Sequence, residues 1–221
     1  KVESLDGDPN RHMGEISPND SRIFVSRNRG KHALPLKLGN PNSKPIVDAL
    51  IATTDVVLMN FRPGLAVKLG LDPTALLEAH PALIIGEITP FGKEGPDALL
   101  AGMDIVVQAR SGLMAAMGRI VDGRPAPGDP VISDYMAATS LAYGVSSALL
   151  RRERTGAGGI VDVSLMQSAM ALANNQLIRH EELDREVHRE AMHKIDTQRR
   201  DGAPYEDQLA SIPGIRVYAI R

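Results

Sequence analysis

Asp55-Val56-Val57-Leu58-Met59-Asn60-Phe61-Arg62-Pro63-Gly64 is the stretch from which the fold is read. Its first half is a continuous apolar run of strand length, without polar alternation. Such a run suits a strand covered on both faces of its sheet. Pro63 and Gly64 then force a turn, and a short helix is expected through Leu65 to Leu69, ending at Gly70. Asp72-Pro73 opens another helix, with Asp as N-cap and Pro at the first helical position. That helix ends at His80-Pro81, and Ala82 to Ile88 reads as a second buried strand. Strand, helix, strand at this spacing is a βαβ unit, which requires a parallel sheet.

Working outward toward the N-terminus, Pro45 to Ala52 reads as a helix with Ile46, Ala49 and Leu50 on one face. Ile23-Phe24-Val25 and Ala33-Leu34-Pro35-Leu36 are short strand candidates around the turn Asn28-Arg29-Gly30-Lys31. Pro35 cannot donate to a ladder, so the second is expected at an edge or distorted. Residues 1–22 are polar and turn-rich and read as loop. Arg27, Arg29, Lys31, His32 and Lys37 make this region locally basic, as a solvated loop or a binding surface would be.

Toward the C-terminus, a helix is expected from about Met103 to Ala109, and Gly118 to Asp129 reads as a Gly/Pro loop. Pro130-Val131-Ile132-Ser133-Asp134-Tyr135-Met136-Ala137-Ala138 then opens a long helix reaching about Arg154. Its many small residues let another backbone or a ligand approach closely. Thr155-Gly156-Ala157-Gly158-Gly159 is a helix stop and turn rather than a phosphate cradle, because it precedes a strand, Ile160 to Val163. Ser164 with Gln167 forms a capping box before a helix from Leu165 to Leu177. Arg179 to Arg200 reads as a charged helical arm. Its His180, His188 and His193 lack the i, i+4 spacing of a helical zinc site, so no metal is expected.

Composition narrows the classes. A net charge of -2 and the lack of a basic stripe argue against nucleic acid. With Cys at 0, disulfides and thiolate metal sites are excluded, which fits a reducing cytoplasm. No apolar run approaches the ~20 residues of a membrane-spanning helix. The chain opens on Lys1-Val2-Glu3 without Met and closes on a strand-like Val217-Tyr218-Ala219-Ile220-Arg221. Both ends read as cuts in a longer polypeptide.

In open parallel sheets, ligands bind beyond the carboxyl ends of the strands. Asn60, Phe61 and Arg62 follow one strand, and Thr89 to Pro96 follow the other. Arg62 and Lys68 can neutralise phosphate and Phe61 can stack on a base; equally, these are a surface cation, a helix-end lysine and a core aromatic. Asp104, polar within an apolar stretch, is a weaker candidate, since such residues usually cap or make buried hydrogen bonds. Asp134 has two compatible readings. It is a helix N-cap, or it is a nucleophile kept ionised and aimed by the helix N–H groups and dipole in a closely packed place.

Taken together, these segments resemble the family III CoA-transferases of the CaiB/BaiF type, which include formyl-CoA and carnitine CoA-transferases. The resemblance rests on 55–64 with Leu69-Gly70-Leu71, on Phe91-Gly92-Lys93-Glu94-Gly95-Pro96, and on Asp104 through Gln108-Ala109. Ala148 through Gly156 and Val161-Asp162-Val163-Ser164-Leu165 continue it, over roughly residues 1–178. It implies a Rossmann-like parallel sheet, with residues 1–178 as part of a large CoA-binding catalytic domain. Residues 179–221 would be a charged arm leading toward a smaller domain. It also implies two interlocked chains, each threaded through the other.

The same resemblance puts the family's catalytic aspartate on Asp134, where attack on an acyl-CoA thioester would give an aspartyl-acyl anhydride and then an aspartyl-CoA thioester. Helix N–H groups are expected to stabilise the charge that develops. The CoA nucleotide would lie along Leu34, Pro35, Leu36 and Lys37, Asn60, Phe61 and Arg62, and Lys68, and Met103 and Asp104 are further expected contacts of CoA. CoA and acyl-CoA are substrates here rather than permanently bound cofactors, and a small carboxylic acid is the second partner. Arg119, Arg124 and the loop to Asp129 are further guesses for the acyl group. Ser4 and Ala101 stand where formyl-CoA-type members carry basic CoA contacts. Met103 stands where the racemase branch carries its catalytic histidine, and Met transfers no proton. Three readings stay open: transferase, α-methylacyl-CoA racemase, and a truncated non-catalytic CoA-binding module.

Overall fold

The computed structural model describes residues 1–117, 119–121, 124–128, 130–173, 180–182, 185–203, 210–212 and 215–217. In order, the elements are β1 (Val2–Glu3), β2 (Glu15–Ser17), β3 (Asp20–Ser21), α1 (Arg22–Asn28), β4 (Leu34–Pro35), α2 (Lys44–Ala52) and β5 (Val56–Met59). There follow α3 (Leu65–Lys68), α4 (Pro73–Ala79), β6 (Ile84–Thr89), α5 (Asp104–Arg110), α6 (Leu113–Ala116), β7 (Ile120–Val121) and β8 (Arg124–Pro125). The chain continues through α7 (Ile132–Thr155), β9 (Gly159–Ser164), α8 (Leu165–Ala173), α9 (Arg185–Arg200), β10 (Ala210–Ile212) and β11 (Ile215–Val217).

The expected βαβ unit is present. β5, β6 and β9 form a parallel sheet in that order, with Val56 opposite Ile84 and Ile84 opposite Gly159. Asp72 caps α4, accepting from the N–H of Thr74 and of Ala75, and Pro73 fills the first position. On one face of the sheet Ile51, Met59, Leu71, Leu83 and Ile85 form a core under α2, α3 and α4. On the other, Val107, Leu113, Ala137, Leu165 and Ala169 form a second core, joined by Ile88, Phe91, Ile132 and Val163. β5 is less enclosed than its apolar run implies: Leu58 is 62% exposed. β6 is the strand covered on both sides, and Ile84 and Ile85 are fully buried.

α7 lies close on the sheet because glycines leave room for it. A Cβ on Gly144 would meet Val161 Cγ1 at 2.6 Å, and one on Gly86 would meet Leu58 Cδ2 at 2.6 Å and Leu141 Cδ1 at 3.1 Å. The helix runs antiparallel to the strands it covers. Its C-terminal Arg152 reaches Asp55 and the Ala82 carbonyl, before β5 and β6 begin. Its N-terminal Ile132 and Ala137 pack with Ile88 and Val163, near the carboxyl ends of β6 and β9. Gly156, at φ 74°, ends α7 as expected. Gly158 then passes so close to Leu83 that a Cβ would fall 2.0 Å from its carbonyl oxygen.

Several expectations are corrected. Ile23-Phe24-Val25 is not a strand but part of α1: Ser21 Oγ accepts from the Phe24 N–H at 3.0 Å, starting a helix that buries Phe24 alone of the three. Residues 1–22, expected as loop, contain β1 and the β2–β3 pair. Pro35 sits in β4, parallel to β1; the Leu34 and Leu36 N–H groups donate to Lys1 and Glu3 on either side, so its missing donor costs nothing. The helix expected from Met103 to Ala109 is present as α5, and Gly112 (φ 78°) then caps the added short helix α6. The loop before α7 contains the antiparallel pair β7–β8. Ser164 Oγ caps α8 by accepting from Gln167 N–H at 3.1 Å; the expected end of that helix at Leu177 lies outside the described residues. The charged helix begins at Arg185 rather than Arg179.

Candidate active site

Asp134 stands in the first turn of α7, at the carboxyl end of the sheet, but it is not the N-cap. That position belongs to Val131, which offers no side-chain acceptor. The cap comes instead from Asp104, at the start of α5. Its Oδ1 accepts from the N–H of Ser133 at 2.8 Å and of Asp134 at 3.2 Å. These are the second and third donors of the helix, the two that an N-cap side chain normally satisfies. Tyr135 N–H donates to Val131 at 3.1 Å. Three of the helix N–H groups expected to serve developing charge at Asp134 are therefore occupied.

Asp104 is 7% exposed and Gln108, one turn further along α5, is fully buried. Gln108 donates its amide to Asp104 Oδ2 and accepts from the Gly128 N–H at 3.0 Å, in the loop leading to α7. Asp104 is thus internal, with both carboxylate oxygens bonded within the protein. Ser133 Oγ beside it is enclosed and has no hydrogen-bond partner among the described residues. Met103 is the N-cap residue of α5 and 70% exposed, at the same end of the sheet.

The Asp134 residue is exposed, not closely packed. Even so, its carboxyl is held above the ordinary carboxylate range, first by surrounding protein and then by the Asp104 charge, against the pull of Arg27. Sequence reasoning passed over Arg27 as one of several basic residues. α1 carries it to α7, where it donates to the Tyr135 hydroxyl at 3.1 Å and lies 5.4 Å from the ring centroid. With α1 misread as strand, nothing in the sequence connected the two.

The CoA candidates divide. Leu34, Leu36, Lys37, Asn60 and Phe61 line one groove of about 1270 Å³ between the β1–β4 pair and β5. Pro35, Arg62 and Lys68 are exposed and do not line it. Phe61 packs against the core under α2 to α4, so only part of its ring is open to a ligand. The groove is largely apolar, and Asp134 does not line it. Ser4 borders it, and its hydroxyl donates to the Gly7 carbonyl at 2.7 Å. Arg119 donates to the Pro127 carbonyl at 3.0 Å and Arg124 lies in β8, while Asp129 is outside the described residues. Among the described residues no helix is long and apolar enough to cross a membrane.

Fold and site together define an open-sheet α/β protein with a helix-borne carboxylate beyond the carboxyl ends of parallel strands. Comparison with known proteins narrows the class. The family model for CoA-transferase family III matches residues 1–207. The chain belongs to that family. It is 35% identical over 173 residues to an acetyl-CoA:oxalate CoA-transferase of Acetobacter aceti, covering 78% of this chain and 44% of the relative. It is also 35% identical over 156 residues to the human α-methylacyl-CoA racemase, covering 70% and 41%. A crystal structure of a CaiB/BaiF family protein from Brucella suis superimposes with a TM-score of 0.72 at 31% identity, covering 80% and 48%. The chain therefore spans less than half the length of these relatives.

Proposed function

We propose that the protein containing this chain moves CoA from an acyl-CoA thioester to a free carboxylic acid, with Asp134 as nucleophile. The observation that carries this reading is the position of Asp134: a solvent-reachable carboxyl on the first turn of α7, at the carboxyl end of a parallel sheet. An Asp134 oxygen attacks the thioester carbonyl, the C–S bond breaks, and CoA leaves as thiolate. The thiolate then attacks the Asp134 carbonyl of the anhydride, releasing the donor acid and leaving an aspartyl-CoA thioester. The incoming carboxylate attacks that thioester, forming a second anhydride and freeing the thiolate again. Attack of the thiolate on the acceptor carbonyl releases the new acyl-CoA and regenerates Asp134. Splitting one difficult exchange into such steps is the gain of covalent catalysis.

In this reading the groove beside β1, β4 and β5 takes part of CoA, with Lys37, Arg62 and Lys68 toward its phosphates. The same reading takes residues 1–178 as part of the catalytic domain, residues 179–221 as an arm toward a second domain, and the full-length protein as an interlocked cytoplasmic dimer. Racemisation at the α-carbon needs a second proton-transfer group opposite the aspartate, and Met103 cannot serve. The test is trapping: full-length protein incubated with an acyl-CoA and hydroxylamine should carry a hydroxamate at Asp134, absent from Asp134→Asn. An unmodified Asp134 while CoA still binds would overturn covalent transfer, and α-deuterium wash-in would then identify the racemase.

A further inference from the structure

We propose that Asp104 is a positioning residue for Asp134: its buried carboxylate clamps the first turn of α7 and, through Gln108, the loop that feeds it. The role for Asp134 that this serves rests on the reading above, but the clamp itself is read from contacts. One oxygen takes the Ser133 and Asp134 N–H groups, and the other takes the Gln108 amide. Gln108 passes the restraint on to Gly128. Asp104 is too enclosed to touch a substrate, so it acts through Asp134 and not on the reacting atoms.

Two consequences follow for the reaction. Because Asp104 accepts the Ser133 and Asp134 donors, these two do not stabilise an oxyanion formed at Asp134. Second, an ionised carboxylate behind a nucleophilic carboxylate disfavours its ionisation and raises its basicity. The charged groups that act on Asp134 are Asp104 from α5 and Arg27 from α1, which also donates to the Tyr135 hydroxyl. The surrounding protein and then Asp104 raise the Asp134 carboxyl, and Arg27 opposes them.

Two variants of the full-length protein separate clamp from charge. In Asp104→Asn the amide oxygen still accepts from α7, but the charge and the bond to Gln108 are lost. In Asp104→Ala the acceptor is lost as well. The readouts are the carboxyl ¹³C titration of Asp134, assigned by difference against Asp134→Asn, and amide exchange at Ser133 and Asp134. For Asp104→Asn we expect the Asp134 midpoint to fall while protection of the two amides is kept. For Asp104→Ala we expect that protection to drop about fivefold or more, the loss that goes with removing a cap. An unmoved midpoint in Asp104→Asn overturns the proposal, as does unchanged protection in Asp104→Ala. If Asp104→Ala does not fold, Asp104→Asn decides alone. Neither readout depends on turnover, so failure of the hydroxamate test would leave this result standing, and the reverse.

Discussion

At the scale of single residues, the protonation of Asp134 gives the first prediction. In the proposed reaction Asp134 must be ionised, and the surrounding protein and then Asp104 raise its pKa. The acid limb of kcat/KM should therefore lie above the ordinary carboxylate range, and Arg27→Gln, which removes the opposing cation, should move it higher still. A pH–rate profile checks both; a limb that ignores Arg27 would detach that residue from the site. Stability should move with the opposite sign from a salt-bridged acid. The folded state binds this proton more tightly than the unfolded chain does. Its contribution to stability therefore falls as pH rises from the ordinary carboxylate value through the raised one. Asp134→Asn should raise Tm at neutral pH and lose that advantage in acid, measured by thermal melts across pH. Here the sequence showed the position of Asp134 but not its role in the helix. Its cap lies 30 residues upstream, brought back by folding, and no local pattern could display it.

At the scale of elements, α7 on β6 and β9 depends on closeness of approach. The small residues of α7 were legible as a surface of close approach, and Gly144 against Val161 is where the sheet makes it. A larger side chain has no room there, so Gly144→Val should destabilise by about 1–3 kcal/mol, the usual cost of overpacking. Chemical denaturation of the variant, with an unchanged m-value, would show it. On the same strands Glu87 and Asp162 stand directly opposite each other, with Lys93 bonded to Glu87 and 4.0 Å from Asp162. Burial, then Glu87, hold the Asp162 carboxyl above its ordinary range while Lys93 pulls it down. Removing the lysine leaves two like charges paired across the ladder, and Lys93→Met should cost about 0.2–1 kcal/mol. That cost should shrink as pH falls and the carboxylates protonate, which melts of the variant at several pH values would register. α1 was the element the sequence hid. Ile23-Phe24-Val25 has strand composition, and one Ser21 hydroxyl accepting the Phe24 N–H decides for helix.

At the scale of the whole molecule, the parallel sheet and its carboxyl end followed from the apolar runs at 56–59 and 84–88, because run length and turn signals specify them locally. The groove did not, since it arises where β1–β4 and β5 face one another and no sequence pattern records that spacing. Its position separates two functions that the resemblance had joined. Lys37 and Phe61 line it, whereas Asp134 lies at the start of α7 and outside it. In the proposed reaction acyl-CoA bridges them, with its anionic end held on one side and its reacting end carried to the other. Losing a cation at the holding end should then affect binding and not chemistry. Lys37→Ala in the full-length protein should raise KM for acyl-CoA by about two- to fivefold, as for an exposed ion pair. kcat and hydroxamate yield at saturating substrate should stay unchanged. Because the residue is exposed, the difference should fade with added salt as screening removes the attraction. A fall in kcat with KM unchanged would place Lys37 near the reacting atoms instead, and the groove would then hold the acyl end of the substrate rather than its nucleotide.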